Sequence, residues 1–465
     1  MKNHLKNKMN LLKFCKDLYK VPRSLSGKGV LETLNYIKQI IPIKIKTVSS
    51  GTKVFDWVVP PEWNINDAYV IDIKTNKKVI DLKKHNLHVV GYSCAVNKKM
   101  SFDELVKNIH YLKDQPNAIP YVTSYYEKNW GFCMSYNDFK QLDRKSIYKV
   151  LIDSEFYENG YLTYGEYLLK GRVEKEILFS SYICHPQMVN NELSGPSVLT
   201  GIAKHLSERN NYYSYRFVLI PETIGSIMYL SKNLETLKKN VIGGYNITCV
   251  GDEKNWGLIP SRYGNNLSDR IAEKILTLYY PNFIKYSWLE RGSDERQYCS
   301  PGVDLPISSI TRSKYGDYPE YHTSLDNFDF VTEKGLNQSL DIYLKCIEVF
   351  ENDKFIVKQK EKILNQDNLK QSIKKNENSI ESKIIYPKIN VLCEPQLGRR
   401  GLYPSLSNKS DKSFKSMMNF ISYCDGKNSI SEIANLCKID NAEAINYYET
   451  LRQVDLIEIE SKIYK

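Results

Sequence analysis

The chain has 465 residues, of which 42% are hydrophobic and 26% charged, a composition typical of soluble globular proteins and unlike that of disordered chains. Its formal net charge of +11 arises from 65 basic and 54 acidic residues that are scattered along the sequence. Nucleic-acid-binding proteins usually carry a concentrated basic face, so a nucleic-acid partner is not expected.

The ten cysteines form no C-x-x-C pair and no closely spaced framework, which indicates a reduced, intracellular protein. The first residues are interrupted by Lys and Asn too often for a signal peptide. No run approaches the ~18 apolar residues of a membrane helix. We therefore predict a cytoplasmic protein without a membrane partner. The oligomeric state stays open at this point, and a homo-oligomer is among the alternatives.

The predicted elements begin with two amphipathic helices between residues 9 and 41, separated by the turn "PRSLSGKG". From about 42 to 100, short β-branched segments with alternating polarity predict a small β-rich unit. Ser101 and Glu104 have the spacing of a capping box, so a further helix is predicted to begin there. From about 148 to 348, strands and helices alternate, which favours an α/β layer fold with a mainly parallel sheet.

The C-terminal part has a different character. A polar stretch from about 356 to 385, rich in Lys, Asn and Gln, predicts a helix tail and a linker. Beyond it, amphipathic helices are predicted at 431–437 and 442–453, followed by the alternating strand "LIEIE". This order resembles a winged helix-turn-helix. Lys and Arg are sparse in its second helix, so we expect no DNA binding by this unit.

Three segments of the α/β region carry polar side chains just beyond apolar strands, where loops of open α/β sheets bind ligands. They are "HPQMVNNELSG", "PETIGS" and the stretch from "RGSDERQ" to "YHTSLD". Imidazole and carboxylate groups suit Zn²⁺, and a catalytic zinc needs about three protein ligands and an open position for water. The candidate side chains are His185, Asn190, Asn191, Glu192, Glu222, Asp294, Glu295, Arg296, His322 and Asp326.

Each candidate taken alone also has an ordinary structural explanation. A histidine after a strand is commonly hydrogen-bonded in its turn, and a carboxylate beside it commonly caps a helix or pairs with an arginine. Arg262 and Arg312 lie near these loops, where an arginine clamps a carboxylate or phosphate or forms a structural salt bridge. The aromatic stretch "YVTSYYEKNWGF" is either a stacking platform or, as we favour, core packing. The missing G-x-S-x-G argues against a serine hydrolase.

The segments "HP…NNELSG", "PETIGS", "GSDERQ" and "YHTSLD" follow one another between residues 185 and 326. In type and order they resemble the motifs of zinc aminopeptidases whose relatives include bacterial leucyl aminopeptidases and glutaminyl cyclases. "VFDWVVPPEWNINDAYV", "NLHVVGYS" and "GYLTYGEYLLKG" resemble a narrower group, the bacterial aminopeptidase-like domain proteins, which carry an inserted β-rich domain and a C-terminal winged helix. That group is often connected with polysaccharide biosynthesis.

The resemblance implies an α/β, phosphorylase/hydrolase-like zinc-aminopeptidase fold with a mixed, mainly parallel sheet. The expected domains are an aminopeptidase-like domain at 1–45 and 110–355, a β-rich insert at 46–109, a linker at 356–385 and a winged helix at 386–465.

The resemblance also implies roles for individual side chains. Glu222 corresponds to the catalytic base, and the metal ligands would be His185, Asp294 and His322, with Glu192 or Glu222 as a further oxygen. A shift of one residue in the comparison would make Glu222 a ligand instead.

Two positions depart from the family pattern. Asn191 stands where the family has a metal-bridging Asp, and Thr223 stands where it has a second, ligating Glu. Two zinc ions depend on such carboxylates to offset their repulsion, so one zinc is favoured over two.

The expected function is that of a zinc-dependent, aminopeptidase-like amide hydrolase that acts on a small peptide or amide through a metal-activated water. Asn191, Glu295, Arg312 and Tyr321 are the expected substrate-binding residues. The alternative is a non-hydrolytic metal- or ligand-binding protein associated with cell-surface polysaccharide biosynthesis.

Overall fold

The computed structural model describes residues 9–352, 384–402 and 412–460. Its helices are α1 (Leu11–Leu18), α2 (Lys28–Lys38), α3 (Phe102–Leu105), α4 (Tyr136–Phe139), α5 (Ser194–Ser207), α6 (Ile224–Asn240), α7 (Leu267–Tyr279), α8 (Glu295–Tyr298), α9 (Glu333–Phe350), α10 (Lys412–Ile421), α11 (Ile430–Cys437) and α12 (Asn441–Gln453). Its strands are β1 (Lys44–Ser49), β2 (Lys53–Val54), β3 (Trp57–Val58), β4 (Glu62–Asp72), β5 (Lys77–Asp81), β6 (Val96–Ser101), β7 (Ile109–His110), β8 (Phe132–Cys133), β9 (Ile147–Tyr157), β10 (Tyr161–Leu169), β11 (Glu176–Tyr182), β12 (Ser214–Ile220), β13 (Val241–Asn246), β14 (Gly257–Ile259), β15 (Ile284–Lys285), β16 (Ile307–Thr311), β17 (Tyr386–Ile389) and β18 (Ile457–Glu460).

The main sheet has the strand order β1-β10-β12-β11-β13-β16-β14-β15. Its central strands β12, β11, β13 and β16 run parallel to one another, whereas β1, β10 and β14 add antiparallel pairs. Strand β11 is buried on both faces: Phe179 packs into the core shared with α1, α5, α7 and α9, and Leu178 into the core on the α6 side. Burial on both faces explains why this strand is an apolar run without alternation.

The two predicted N-terminal helices are present as α1 and α2. In α1, Leu11, Phe14, Cys15 and Leu18 are buried, which is the one-sided spacing of an amphipathic helix, and Asn10 caps the first turn by accepting from the Lys13 amide. The predicted capping box at residue 101 is also present, but α3 is only one turn long, because the chain soon enters β7.

The β-rich insert leaves the main sheet after β1 and returns through β10, and these two strands pair directly. Its own antiparallel sheet has the order β5-β4-β9-β6. Strand β9 pairs with β4 from Glu62↔Tyr157 to Asp72↔Tyr148. The sheet therefore extends past the expected boundary at residue 109, because a strand far along the chain completes it.

The C-terminal unit consists of α10–α12 and the antiparallel pair β17 and β18. Its core is continuous with that of the α6 side of the main sheet. The indole of Trp288 donates to Ser422 Oγ at 3.2 Å, and Arg262 pairs with Asp425 at 3.1 Å. The predicted linker at 356–385 lies outside the described residues except for its last two positions.

No helix in the described parts of the chain is long and apolar enough to cross a membrane. All ten cysteines fall within the described residues, and all are free.

Arg216 on β12 joins the buried carboxylates of Glu166 on β10 and Glu176 on β11, and we expect its removal to be strongly destabilising. It donates to Glu176 at 2.5 and 2.9 Å and to Glu166 at 2.5 Å. Arg216→Met leaves Glu176 without this partner and leaves Glu166 with only Lys46 and Tyr229, so the free energy of unfolding should fall by about 3–5 kcal/mol, measured by urea denaturation. Arg452→Met, which breaks only the exposed pair with Glu449, should change it by less than about 1 kcal/mol. Equal losses for both variants would contradict this prediction.

Candidate active site

Two neighbouring parallel strands bring the first two predicted loops together. Strands β11 and β12 are in register to their last residues, Tyr182↔Ile220, so His185 and Glu222 emerge side by side at the carboxyl edge. His185 Nε2 lies 3.6 Å from Glu222 Oε2. The predicted convergence of these loops is therefore present.

A buried charge pair fixes the other side of the His185 ring. Glu192 Oε2 lies 2.9 Å from His185 Nδ1, and Arg23 Nε lies 3.4 Å from Glu192 Oε1. Arg23 also donates to the backbone oxygen of His185 at 3.0 Å. Burial alone would lower the pKa of His185, but Cys184 and Glu192 raise it well above its ordinary value. Glu192 thus holds His185 in one orientation, with Nε2 turned toward Glu222.

His322 enters the site from the third loop. Its backbone is left-handed, with φ 55°, a strained conformation for a histidine that often marks functional sites. Its ring stacks on Tyr321 with centroids 3.9 Å apart and lies 5.7 Å from the ring of His185. Burial and the charge of His185 lower the pKa of His322 to about 3, so its imidazole is neutral.

The β-rich insert forms a wall of the same site. Tyr121 makes edge contacts with the rings of both His185 and His322, at 5.2 and 5.0 Å between centroids. Its backbone amide donates to the oxygen of His322 at 2.8 Å, and Ser324 N donates to Ile119 O at 2.9 Å. The aromatic stretch that we assigned to packing therefore also contributes a residue to the site.

Glu222 belongs to a carboxylate cluster at the start of α6. Ser293 Oγ donates to Glu222 Oε1 at 2.9 Å. Asp294 Oδ1 accepts from the Thr223 amide at 2.8 Å and from Ser226 Oγ at 2.7 Å, whereas Asp294 Oδ2 is buried and has no hydrogen-bond partner in the described structure. Burial raises the pKa of Glu222, and burial together with Glu222 raises the pKa of Asp294 to about 7.

Asp326 holds the loop that carries Asn191 and Glu192. Its carboxylate accepts from the backbone amides of Val189, Asn190 and Asn191 at 3.2, 2.5 and 2.8 Å, and burial raises its pKa to about 6. The side-chain amide of Asn191 is buried, and neither of its polar atoms has a partner among the described residues. Buried polar groups in proteins are usually hydrogen-bonded, so this amide is a candidate contact for a bound molecule.

Two predicted substrate-binding residues are in contact with other parts of the protein. Glu295 is fully buried, and its oxygens accept from Gly292 N, Ser293 N, Tyr315 OH and Asn246 Nδ2. These contacts tie the Glu295 carboxylate to the loop before α8. The guanidinium of Arg312 stacks on Trp256 at 4.2 Å and donates to Gln338, facing α9 rather than the site.

Two sets of candidate metal ligands share His185. Cys184, His185 and Glu192 offer atoms within 4.8 Å of one another, and no other three such side chains among the described residues do so. In this set Glu192 already pairs with His185 and Arg23.

The second set lies on the Nε2 side of His185. Glu222 lies 3.6 Å from Nε2, and His322 and Asp294 belong to the neighbouring loops. The donor atoms of this set are not all within 4.8 Å of one another, so they would have to move closer together to hold an ion. Its nitrogen and oxygen donors are of the types that suit zinc, and a carboxylate on Nδ1 is the usual outer support of a metal-binding histidine.

Comparisons with known proteins define the family. A family model described as a domain of unknown function, DUF4910, matches residues 12–353. The chain belongs to this DUF4910 family. A second model, described as a winged helix-turn-helix, matches residues 384–459, which confirms the prediction for the C-terminal unit.

Relatives of this DUF4910 protein include one from Clostridium acetobutylicum, provisionally described as a polysaccharide biosynthesis protein with an aminopeptidase-like domain. It is 41% identical over 445 residues, covering 95% of this chain and 94% of the relative. A crystal structure from Clostridium acetobutylicum, provisionally described as a peptidase, is 38% identical with a TM-score of 0.71, covering 97% and 96% of the two chains. The resemblance to aminopeptidase-like domain proteins is confirmed.

The fold prediction is confirmed as well. The zinc aminopeptidase of Bacillus subtilis is similar in structure, with a TM-score of 0.52 and 12% identity, over 74% of this chain and 95% of that one. The DUF4910 domain therefore has an aminopeptidase-like α/β fold with a mixed sheet.

Several residues around the site carried no local signal in the sequence. Arg23 lies 162 positions before His185, in a turn between two helices, and nothing nearby indicates its partner. Asp326 stood at the end of "YHTSLD", but its role as an acceptor for the Asn191 loop depends on a contact 135 residues away. Such contacts are set by the packing of loops and not by local pattern.

Proposed function

We propose that the protein is a zinc-dependent hydrolase of a small peptide or amide. The observation that carries this proposal is the arrangement of His185 Nε2, His322 and Glu222 at one edge of the sheet, with Glu192 supporting the histidine from behind. Its relatives with peptidase-like descriptions and the aminopeptidase fold support it.

We assign the metal ligands to His185 Nε2, His322 and the free oxygen of Asp294. Glu192, which was expected as a ligand, is assigned as the carboxylate that orients His185, because both of its oxygens face His185 or Arg23. Zinc, when bound, would act as a Lewis acid and would lower the pKa of a water molecule at the site. One ion rather than two fits a site whose Asn191 is neutral and whose Thr223 hydroxyl is taken by Arg296.

Glu222 acts as the general base. Ser293 holds Oε1, so Oε2 faces the Nε2 side of His185, where it can take a proton from water and return it to the leaving amine. We assign Tyr321 as a hydrogen-bond donor, because burial, followed by the charge of Glu222, raises the pKa of its hydroxyl well above the ordinary value. A phenol that stays protonated can donate to the oxygen of the reacting carbonyl.

His322→Ala tests the proposal directly. The variant removes one proposed imidazole ligand. Loss of a residue that only supports a ligand lowers metal affinity by about 10- to 100-fold, so loss of the ligand itself should lower zinc affinity by more than about 100-fold. Hydrolysis of aminoacyl and N-acyl amides should cease. Zinc is measured by elemental analysis of protein purified without chelator. Wild-type protein that holds fewer than about 0.2 zinc per chain after reconstitution would refute the proposal.

The alternative is a binding protein that acts beside polysaccharide biosynthesis, as the description of the Clostridium acetobutylicum relative suggests. The neutral Asn191 and the pairing of Glu192 with Arg23 favour it, because both reduce the negative charge available at the centre. Zinc binding without turnover of any amide in the screen would support this alternative.

A further inference from the structure

Ser293 connects the end of β13 to the proposed base. Its hydroxyl donates to Glu222 Oε1 at 2.9 Å and accepts from Asn246 Nδ2 at 3.1 Å. Ser293 and Asn246 are buried, whereas the side chain of Glu222 is 21% exposed. A chain of two hydrogen bonds therefore runs from the protein interior to the carboxylate that faces the proposed cleft.

The orientation of the Asn246 amide is assigned from its contact with Glu295. Nδ2 also donates to Glu295 Oε2 at 3.1 Å, and Oδ1 is buried without a partner among the described residues. A flipped amide would place its oxygen against that carboxylate, so the amide nitrogen belongs on this side. A serine hydroxyl has a single hydrogen, and because Ser293 accepts from Asn246, its hydrogen is left for Glu222.

Glu295 is itself fixed by the loop before α8. Its Oε1 accepts from the backbone amides of Gly292 and Ser293 at 2.9 and 3.0 Å and from the hydroxyl of Tyr315. The same carboxylate thus holds the backbone of Ser293 and, through Asn246, the direction of its hydroxyl.

We propose that Asn246 and Glu295 are positioning residues for the general base, because they keep the Ser293 hydroxyl as a donor to Oε1 of Glu222 and leave Oε2 to take the proton. The bond from Ser293 fixes the rotation of the carboxylate, with Oε2 3.6 Å from His185 Nε2. A displacement of a reacting group by about 1 Å can cost about 100-fold in rate. This inference rests on the proposed function and names the residues that orient its base.

Ser293→Ala tests the last bond of the chain. In zinc-loaded protein, kcat for amide hydrolysis should fall by about 10- to 100-fold, with KM within about 2-fold of the wild type, because the base loses its orientation while the substrate contacts stay. Ser293→Thr keeps a hydroxyl and should keep kcat within about 3-fold of the wild type. Steady-state kinetics with aminoacyl amides measure both parameters.

The matched control is Ser308→Ala. Ser308 lies on β16, beside β13, and its buried hydroxyl has no hydrogen-bond partner among the described residues. Its removal should leave kcat unchanged. For Ser293→Ala, a rise in KM at unchanged kcat, or loss of zinc, would overturn the inference, because either result would place the serine at the substrate or the metal instead of the base.

A double-mutant cycle tests whether Asn246 acts through Ser293. Asn246→Ala should lower kcat by about 10-fold in the wild type but by less than about 2-fold in Ser293→Ala, where the bond that it orients is already absent. Glu295→Gln should behave in the same way, because an amide nitrogen at the Oε2 position cannot accept from Asn246. Equal losses in the two backgrounds would indicate a general structural effect and would overturn the inference.

Crystal structures of the wild type and the two Ser293 variants separate this inference from the proposed hydrolysis. If no amide is cleaved, the proposed function fails, but the position of the Glu222 carboxylate still tests the chain. A carboxylate that rotates away from His185 Nε2 in Ser293→Ala and keeps its place in Ser293→Thr would support the positioning role. A carboxylate that stays in its wild-type position in Ser293→Ala would refute it.

Discussion

Glu222→Gln is expected to lower kcat for amide hydrolysis by about 10²- to 10⁴-fold, the usual contribution of a general base, while the protein still binds zinc. The amide is close in size to the carboxylate and can still accept from Ser293, but it cannot take a proton at the position 3.6 Å from His185 Nε2. Single-turnover kinetics and elemental analysis of the same preparation measure the two effects.

The matched control is Glu253→Gln, an exposed glutamate that pairs with Lys334 and Thr332. Its kcat should equal that of the wild type. Loss of zinc from Glu222→Gln would assign Glu222 as a ligand instead of the base. Full activity of that variant would remove Glu222 from the mechanism.

Asp326→Ala should destabilise the protein and disorganise the site together. The substitution leaves two buried backbone amides, those of Asn190 and Asn191, without their acceptor, whereas the Val189 amide keeps its bond to the backbone oxygen of Asp326. A buried unpaired donor costs about 1–3 kcal/mol, so we expect the free energy of unfolding to fall by about 2–4 kcal/mol. Zinc affinity should also fall, because this loop carries Glu192, which supports His185.

Urea denaturation and zinc titration of the folded variant measure these two effects. Asp329→Ala is the control: this aspartate is exposed three positions along the same loop and should change the free energy of unfolding by less than about 0.5 kcal/mol. A destabilised Asp326→Ala protein with wild-type zinc affinity would separate the loop from the metal centre.

The order of the loops could be predicted because it depends on local patterns. Apolar runs followed by polar residues identify strand ends, and parallel strands bring their carboxyl ends to one edge, so His185 and Glu222 were expected to meet. The amphipathic helix α1 and the capping box at Ser101 depend equally on near neighbours.

The roles of the acidic side chains could not be predicted in the same way. Glu192 and Glu295 stand among the motif residues, yet Arg23 engages the first, and Tyr315 and Asn246 engage the second. Whether a carboxylate faces a cleft or a buried donor depends on partners brought by the fold from distant parts of the chain. The same reason explains why the insert sheet reaches past residue 109: its strand β9 pairs with β4 across a long loop.

Strands β1 and β10 form an antiparallel pair, and the insert stands where the turn of a simple hairpin would join them. A short turn from Ser49 to Tyr161 would preserve every strand of the main sheet while removing Tyr121 and the contacts of residues 119–121 with the His322 loop. The sheet therefore carries His185 and Glu222, and the insert contributes an aromatic wall beside His185 and His322. Under the proposed function, a change in the length or sequence of this insert would reshape that wall and leave the strands that carry His185 and Glu222 as they are.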